Sequence, residues 1–242
     1  MKQNREQFEE NARVMATYNR LLAMHAGPQT TVHEGKLDGL ESVGTLNVCN
    51  PYCVARMKEG GVCAHCYVEK HGYKKALMGK LIYNYDLLTA GIVPFEMLPI
   101  VSTILARVES FGDVHNETQA RNYLHIIRKN SNSRWAIWSK NPAIYRKAFE
   151  SEGKPENTTF VLSSFLLNTP AKIPENMEKY VDHVFTVYTL AYLKEHPEIE
   201  IDCGFSRCLE CQKCYHRTTK KYINEILKED AKAYLAWKNE QK

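Results

Sequence analysis

From Ile104 the chain reads Ile104-Leu105-Ala106-Arg107-Val108-Glu109-Ser110-Phe111-Gly112-Asp113. A helical stretch follows from Glu117 to Lys129, then Trp135-Ala136-Ile137-Trp138-Ser139-Lys140, then Pro142 to Glu150. The first run is apolar, short and stopped by Gly-Asp, as a strand is. Glu117 to Lys129 has helical spacing, Trp135 to Ser139 is a second strand, and Pro142 suits the first position of another helix. Strand, helix, strand, helix in one stretch is the pattern of a parallel sheet.

The same alternation extends in both directions. Residues 5–25 place Phe8, Ala12, Met15, Tyr18, Leu21 and Leu22 on one helical face, and Gly27-Pro28 ends it. Thr45 to Val48 reads as a short strand running into Cys49, and residues 67–90 as a helix. Thr159 to Ser164, Val184 to Tyr188 and Ile199 to Ile201 read as further strands, and residues 218–239 as a closing helix. These units are too few for a closed eight-stranded barrel, which leaves a partial open barrel or a doubly wound sheet. Both put functional groups at the C-terminal ends of strands. Here those ends carry Cys49, Gly112-Asp113, Ser139-Lys140, Ser163-Ser164, Tyr188-Thr189 and Cys203.

With 242 residues, 44% apolar and 25% charged, the composition is that of a globular chain. The most apolar window, Leu87 to Val108, is broken by Pro94, Glu96 and Pro99, so no membrane span is expected. No segment has the character of a secretory signal, and a cytoplasmic protein is expected. Charge is unevenly distributed. From Thr118 to Phe149 seven basic residues face no acidic one; residues 54–80 carry six against two, and residues 213–242 eight against four. Such partitioning suits either solvated helix faces or a surface for phosphates or nucleic acid.

The eight cysteines fall in two groups, Cys49, Cys53, Cys63, Cys66 and Cys203, Cys208, Cys211, Cys214. Paired C-x2-C spacing without an export signal reads as metal ligation rather than disulfides. In the first group zinc would use all four thiolates. A [4Fe–4S] cluster held by three would leave one iron open to a small molecule. The compact run Cys208-x2-Cys211-x2-Cys214, preceded by Cys203, is similar to ferredoxin-type ligation. Zinc is the alternative there, and Gly204 permits the turn.

The chain resembles the radical S-adenosylmethionine superfamily, whose three-cysteine cluster follows the first strand of a partial (β/α) barrel. Cys63, His65 and Cys66 match the second half of that motif; nine residues separate Cys53 from Cys63, where the superfamily usually has three. It is similar more closely to a phage and bacterial family known as "gene product 88". That family's elements correspond to Cys53, Cys63-Ala64-His65-Cys66-Tyr67, Phe111-Gly112-Asp113, Trp138-Ser139-Lys140 and the terminal cysteines. The resemblance implies an α/β fold with a partial (β/α) barrel of about six parallel strands. A helix and loop at 1–42 would precede the barrel at 43–202, and a cysteine-rich segment and helix at 203–242 would follow.

The same resemblance implies Cys53, Cys63 and Cys66 on a cluster with an open iron, with Cys49 as the alternative ligand. An auxiliary cluster would sit on Cys203, Cys208, Cys211 and Cys214. S-adenosylmethionine would lie near His65 and Tyr67, its ammonium at Gly112-Asp113 and its carboxylate at Ser139 or Lys140. An electron donor such as ferredoxin or flavodoxin is the implied partner, with the substrate open. Two other readings compete: a zinc protein that binds nucleic acid, and an iron–sulfur electron carrier or sensor that leaves the cofactor uncleaved.

Overall fold

A computed structural model describes residues 2–66, 68, 75–217 and 221–241. Its seven strands are β1 (Thr31–Val32), β2 (Glu41–Val43), β3 (Leu105–Val108), β4 (Arg134–Ser139), β5 (Thr158–Ser163), β6 (His183–Tyr188) and β7 (Tyr222–Ile226). They form one sheet in the order β1-β2-β3-β4-β5-β6-β7. The β1–β2 pair is antiparallel and every later pair is parallel. The sheet is open, with β1 and β7 as its edges. The helices are α1 (Lys2–Ala23), α2 (Pro51–Lys58), α3 (Lys75–Ala90), α4 (Glu117–Lys129), α5 (Pro142–Glu152), α6 (Leu190–Glu195), α7 (Cys208–Cys211) and α8 (Ala231–Glu240).

Local chemistry sets the element ends. Asn116 caps α4 by accepting from the Gln119 N–H, Glu117 stands in its first turn, and Arg128 and Lys129 stand in its last. Pro142 opens α5, and Gly153, at φ +77°, lets the chain leave it. Period-two alternation sorts the strands. Ala106, Val108, Trp135, Ile137, Phe160 and Leu162 face one side and pack on Tyr123, Leu124, Ile127, Tyr145 and Phe149 of α4 and α5. Leu105, Ala136, Val161, Phe185 and Ile223 face the other.

Sequential parallel order explains the difference between the faces. Right-handed crossovers between neighbouring strands return on the same side, so α4 and α5 share one face of the sheet. The opposite face is covered by the two cysteine segments: Val62 from the first, and Cys203, Cys208, Cys214 and Tyr215 from the second.

Several expected elements differ. Thr45–Val48 is not a strand: β2 lies earlier, and Asn47–Cys49 is a 3-10 turn, so Cys49 does not end a strand. The strand expected over 104–111 is confined to Leu105–Val108, because Glu109 turns to φ +57°. Residues 199–201 form no strand; the last one is β7, inside the stretch expected to be helical, and α8 begins only at Ala231. The sheet draws strands from all three of the segments 1–42, 43–202 and 203–242. Among the described residues, no helix is long and apolar enough to cross a membrane.

Candidate metal and cofactor site

Three strand tips hold the first cysteine loop. Asn50 caps α2 by accepting from the Tyr52 N–H, and its Nδ2 donates to the Asp113 carbonyl beyond β3 at 2.6 Å. Tyr52 Oη donates to the Lys140 carbonyl beyond β4 at 2.8 Å. The Val62 N–H donates to the Phe165 carbonyl beyond β5 at 2.9 Å. Gly61 permits that last contact: its φ is +62°, and an added Cβ would lie 2.4 Å from the Phe165 oxygen. Cys53 on α2, Cys63 in the 3-10 turn Gly61–His65, and Cys66 are thereby carried over the C-terminal ends of the parallel strands.

A cavity of about 190 Å³ results, lined by Cys53, Cys63, Cys66, His65, Gly112, Asp113, Ser139 and Lys140. Tyr67 lies outside the described residues. Cys49 does not line the cavity; burial and Asp86 of α3 both push its thiol up. Trp138, Phe185 and Val187 form an apolar wall.

Asp113 is buried and wired into the chain. Its Oδ1 accepts from Ser139 Oγ at 2.6 Å and from the Val114 N–H at 2.8 Å, and its Oδ2 accepts from the Lys140 N–H at 2.7 Å. Burial raises its pKa, and these hydrogen bonds oppose the rise. Asp113 therefore fastens the β3 turn to the β4 tip, and Ser139 also accepts from the Asn141 N–H at 2.9 Å. The Lys140 ammonium makes no hydrogen bond or ion pair among the described residues, and its charge lowers the pKa of both Cys63 and Cys53. For each thiol burial is the larger effect and raises it.

Glu109, absent from the expected site, is its most deeply buried acid. Its carboxyl accepts from the Thr45 N–H at 3.1 Å, Thr45 Oγ1 at 2.8 Å, Gln119 Nε2 at 2.9 Å and Tyr123 Oη. Burial outweighs these bonds and pushes it up to about 8. Gly112 is needed beside it, since a Cβ there would lie 3.0 Å from both Glu109 Oε2 and the Thr45 carbonyl. The sequence shows only an acid closing the strand; that Glu109 takes the left-handed backbone region, which non-glycine residues rarely adopt, is visible in the structure alone.

The second cysteine group borders the first. Cys203, Cys208, Cys211 and Cys214 line a narrow adjoining cavity with Lys36, and Arg107 and Trp138 line both cavities. The Cys203 N–H donates to the Asn224 carbonyl of β7 at 3.0 Å, and Lys36 Nζ donates to Cys203 Sγ at 3.1 Å. Cys214 follows Gln212, whose φ of +52° turns the loop back, and Thr159 Oγ1 of β5 donates to the Cys214 carbonyl at 2.5 Å. Burial pushes the thiols of Cys208 and Cys214 up, and that of Cys203 to about 11. Ligation at neutral pH therefore has to displace protons. All eight cysteines are free of disulfides. Among the described residues, no three Cys, His, Asp or Glu side chains are gathered closely enough for a single ion.

Part of the basic stretch 118–149 is engaged within the chain. Arg121 and Arg128 converge on Glu152, Arg146 pairs with Glu150, and Lys129 donates to the carbonyls of Phe95 and Leu98. Compared with protein-family models, curated proteins and solved structures, the chain matches none.

Proposed function

We propose that this chain is an iron–sulfur enzyme of the radical S-adenosylmethionine type, built on a partial (β/α) barrel with a second, auxiliary cluster. The observation that carries the reading is the convergence of Cys53, Cys63 and Cys66 on one cavity at the strand tips. The Gly112-Asp113 turn and the unpaired Lys140 ammonium share that cavity. The donor set suits the group. A tetrahedral zinc draws its thiolates to about 2.3 Å from one point, whereas a cubane gives each thiolate its own iron and holds them further apart. Three thiolates beside a cavity that can admit a small molecule suit a cluster with one open iron.

Cys53, Cys63 and Cys66 would hold the cluster with the open iron, and Cys203, Cys208, Cys211 and Cys214 the closed one. When bound, the first cluster would pass an electron from a donor such as ferredoxin or flavodoxin to the sulfonium of S-adenosylmethionine. The chain's own contribution is positional. Lys140 offers its ammonium to the cofactor carboxylate, while Asp113 fixes the turn and strand tip against which the amino group lies. The wall of Trp138, Phe185 and Val187 keeps water from the reacting atoms.

Anaerobic purification should give a brown protein with iron and sulfide at both sites, and Cys63→Ala should remove about half the iron. Adding S-adenosylmethionine should shift the reduced EPR spectrum. Lys140→Met should raise the concentration needed by roughly ten- to a hundredfold, the value of a charge-assisted hydrogen bond. A colourless zinc protein would refute the reading. An iron protein whose spectrum ignores the cofactor, with no reductive cleavage under strong reductant, would be an electron carrier or sensor instead.

A further inference from the structure

Among the described residues, two of the cations around the larger cavity stand without a carboxylate beside them. Its acids are engaged: Asp113 accepts three hydrogen bonds, Glu109 accepts four, and Glu225 pairs with Lys36 at 2.5 Å. Arg56, at the rim, pairs with Glu59 at 2.6 Å. Arg107 and Lys140 have no carboxylate partner among the described residues, and Lys140 is already given to the cofactor.

Arg107 is the more constrained of the two. It projects from β3 on the face away from α4 and α5. Its guanidinium carbon stands 4.1 Å from the Trp138 ring centroid, and its Nε is buried without a hydrogen-bond partner. Stacking occupies the flat face of a guanidinium and leaves its in-plane N–H fork available. The residue is half-buried, and an N–H donor buried without a partner, as at its Nε, is unfavourable until an acceptor such as an oxyanion takes it. The side chain is therefore oriented to receive a planar or tetrahedral oxyanion, and it lines the cavity that holds the cysteine triad.

We propose that the substrate carries a carboxylate or phosphate group and that Arg107 grips this group through its free guanidinium edge. The proposal names a substrate class for the cavity and so rests on reading that cavity as the reaction site. One rival role is visible: Arg107 also lies close enough to Cys208 and Cys214 to lower their pKa against the larger effect of burial. It could thus serve only to balance charge on a metal held by the second cysteine group.

Calorimetry on the anaerobically purified, metal-loaded protein separates the two. Inorganic phosphate and, separately, acetate are titrated without S-adenosylmethionine, and the tighter binder identifies the oxyanion. Arg107→Met should weaken that binding by roughly ten- to a hundredfold at unchanged iron content. Arg107→Lys keeps the charge and loses the fork, so it should fall between; it carries the comparison if the Met variant does not fold. Binding of neither anion at millimolar concentrations, or equal affinity in wild type and variant, overturns the proposal. So does a variant that loses one site's iron, or shifts its reduction potential, while still binding the anion as before. Failure of the cofactor-induced EPR shift, alongside Arg107-dependent anion binding, would reject the enzyme reading and leave the anion site standing.

Discussion

His33 registers the charge of Arg107. Its Nε2 lies 2.7 Å from Ser42 Oγ, and its ring lies against Phe111 at 5.5 Å between centroids. Burial pushes its pKa down to about 4, and the charges of Arg107 and Lys80 add to the effect. Well above pH 6.5 the imidazole is neutral whether the chain is folded or not, so it contributes nothing to pH dependence there. As pH falls from 6.5 towards 4, the unfolded chain takes up a proton that the folded one refuses, and stability drops by roughly 2–3 kcal/mol. His33→Gln keeps a polar partner for Ser42 and removes the titration. Urea unfolding at pH 7 and pH 4 should show a smaller acid loss in the variant than in wild type. Equal losses would mean that His33 is not the group responsible.

At the scale of elements, the cysteine segment from Cys203 to Tyr215 serves as the cover of a sheet face. Cys214 and Tyr215 are packed against β4 and β5, whereas Cys63 sits in a loop at the mouth of the cavity. Cys214→Ala should therefore lower the thermal midpoint more than Cys63→Ala. Removing a buried group that is also a ligand of the proposed second cluster loosens the whole cover, while the first loop keeps its three hydrogen bonds to the strand tips. Equal midpoints would show that the segment's ligands do not stabilise the fold.

The elements also divide by how legible they were. The helix over Glu117–Lys129 was fully readable because its cap, its charged ends and its apolar spacing agree. Strand β7 was not, since Tyr222-Ile223-Asn224-Glu225-Ile226 is short and lies in a lysine-rich stretch that mimics a helix surface. Strand β2 was missed because its Glu41 and Ser42 are polar yet buried: Glu41 Oε1 accepts from Ser102 N–H and Oγ, and Ser42 meets His33. In the site, cysteine spacing and the Gly-Asp and Ser-Lys strand ends were visible. What escaped was anything that depends on which face of a strand a residue takes, as for Arg107, or on backbone conformation, as for Glu109.

For the molecule as a whole, the two faces of the sheet are secured by different means. Tyr123, Leu124, Tyr145 and Phe149 cover one through ordinary apolar burial; thiol-bearing loops cover the other. On the proposed reading, stripping the metal of the clusters with a chelator should therefore leave most helical circular dichroism intact and raise dye binding to exposed apolar surface. Protease sensitivity should rise within residues 203–217. Complete loss of the circular dichroism signal on metal removal would show instead that the two faces fold as one unit.

Because each strand from β2 to β7 lies beside its neighbours in the chain, the sheet is laid down in the order in which it is synthesised. Each strand and helix emerging from the ribosome finds its docking edge already present, which keeps contacts local and the search short. The exception is the layer that holds the cysteines. Its first loop must wait for the tip of β5, and its second for β7, whose Asn224 anchors Cys203. Thiolates at residues 53 to 66 are thus made early and housed late. In the interval they are exposed to oxidants and to competing metals, so on the proposed reading the clusters are to be loaded only after the last strand is released.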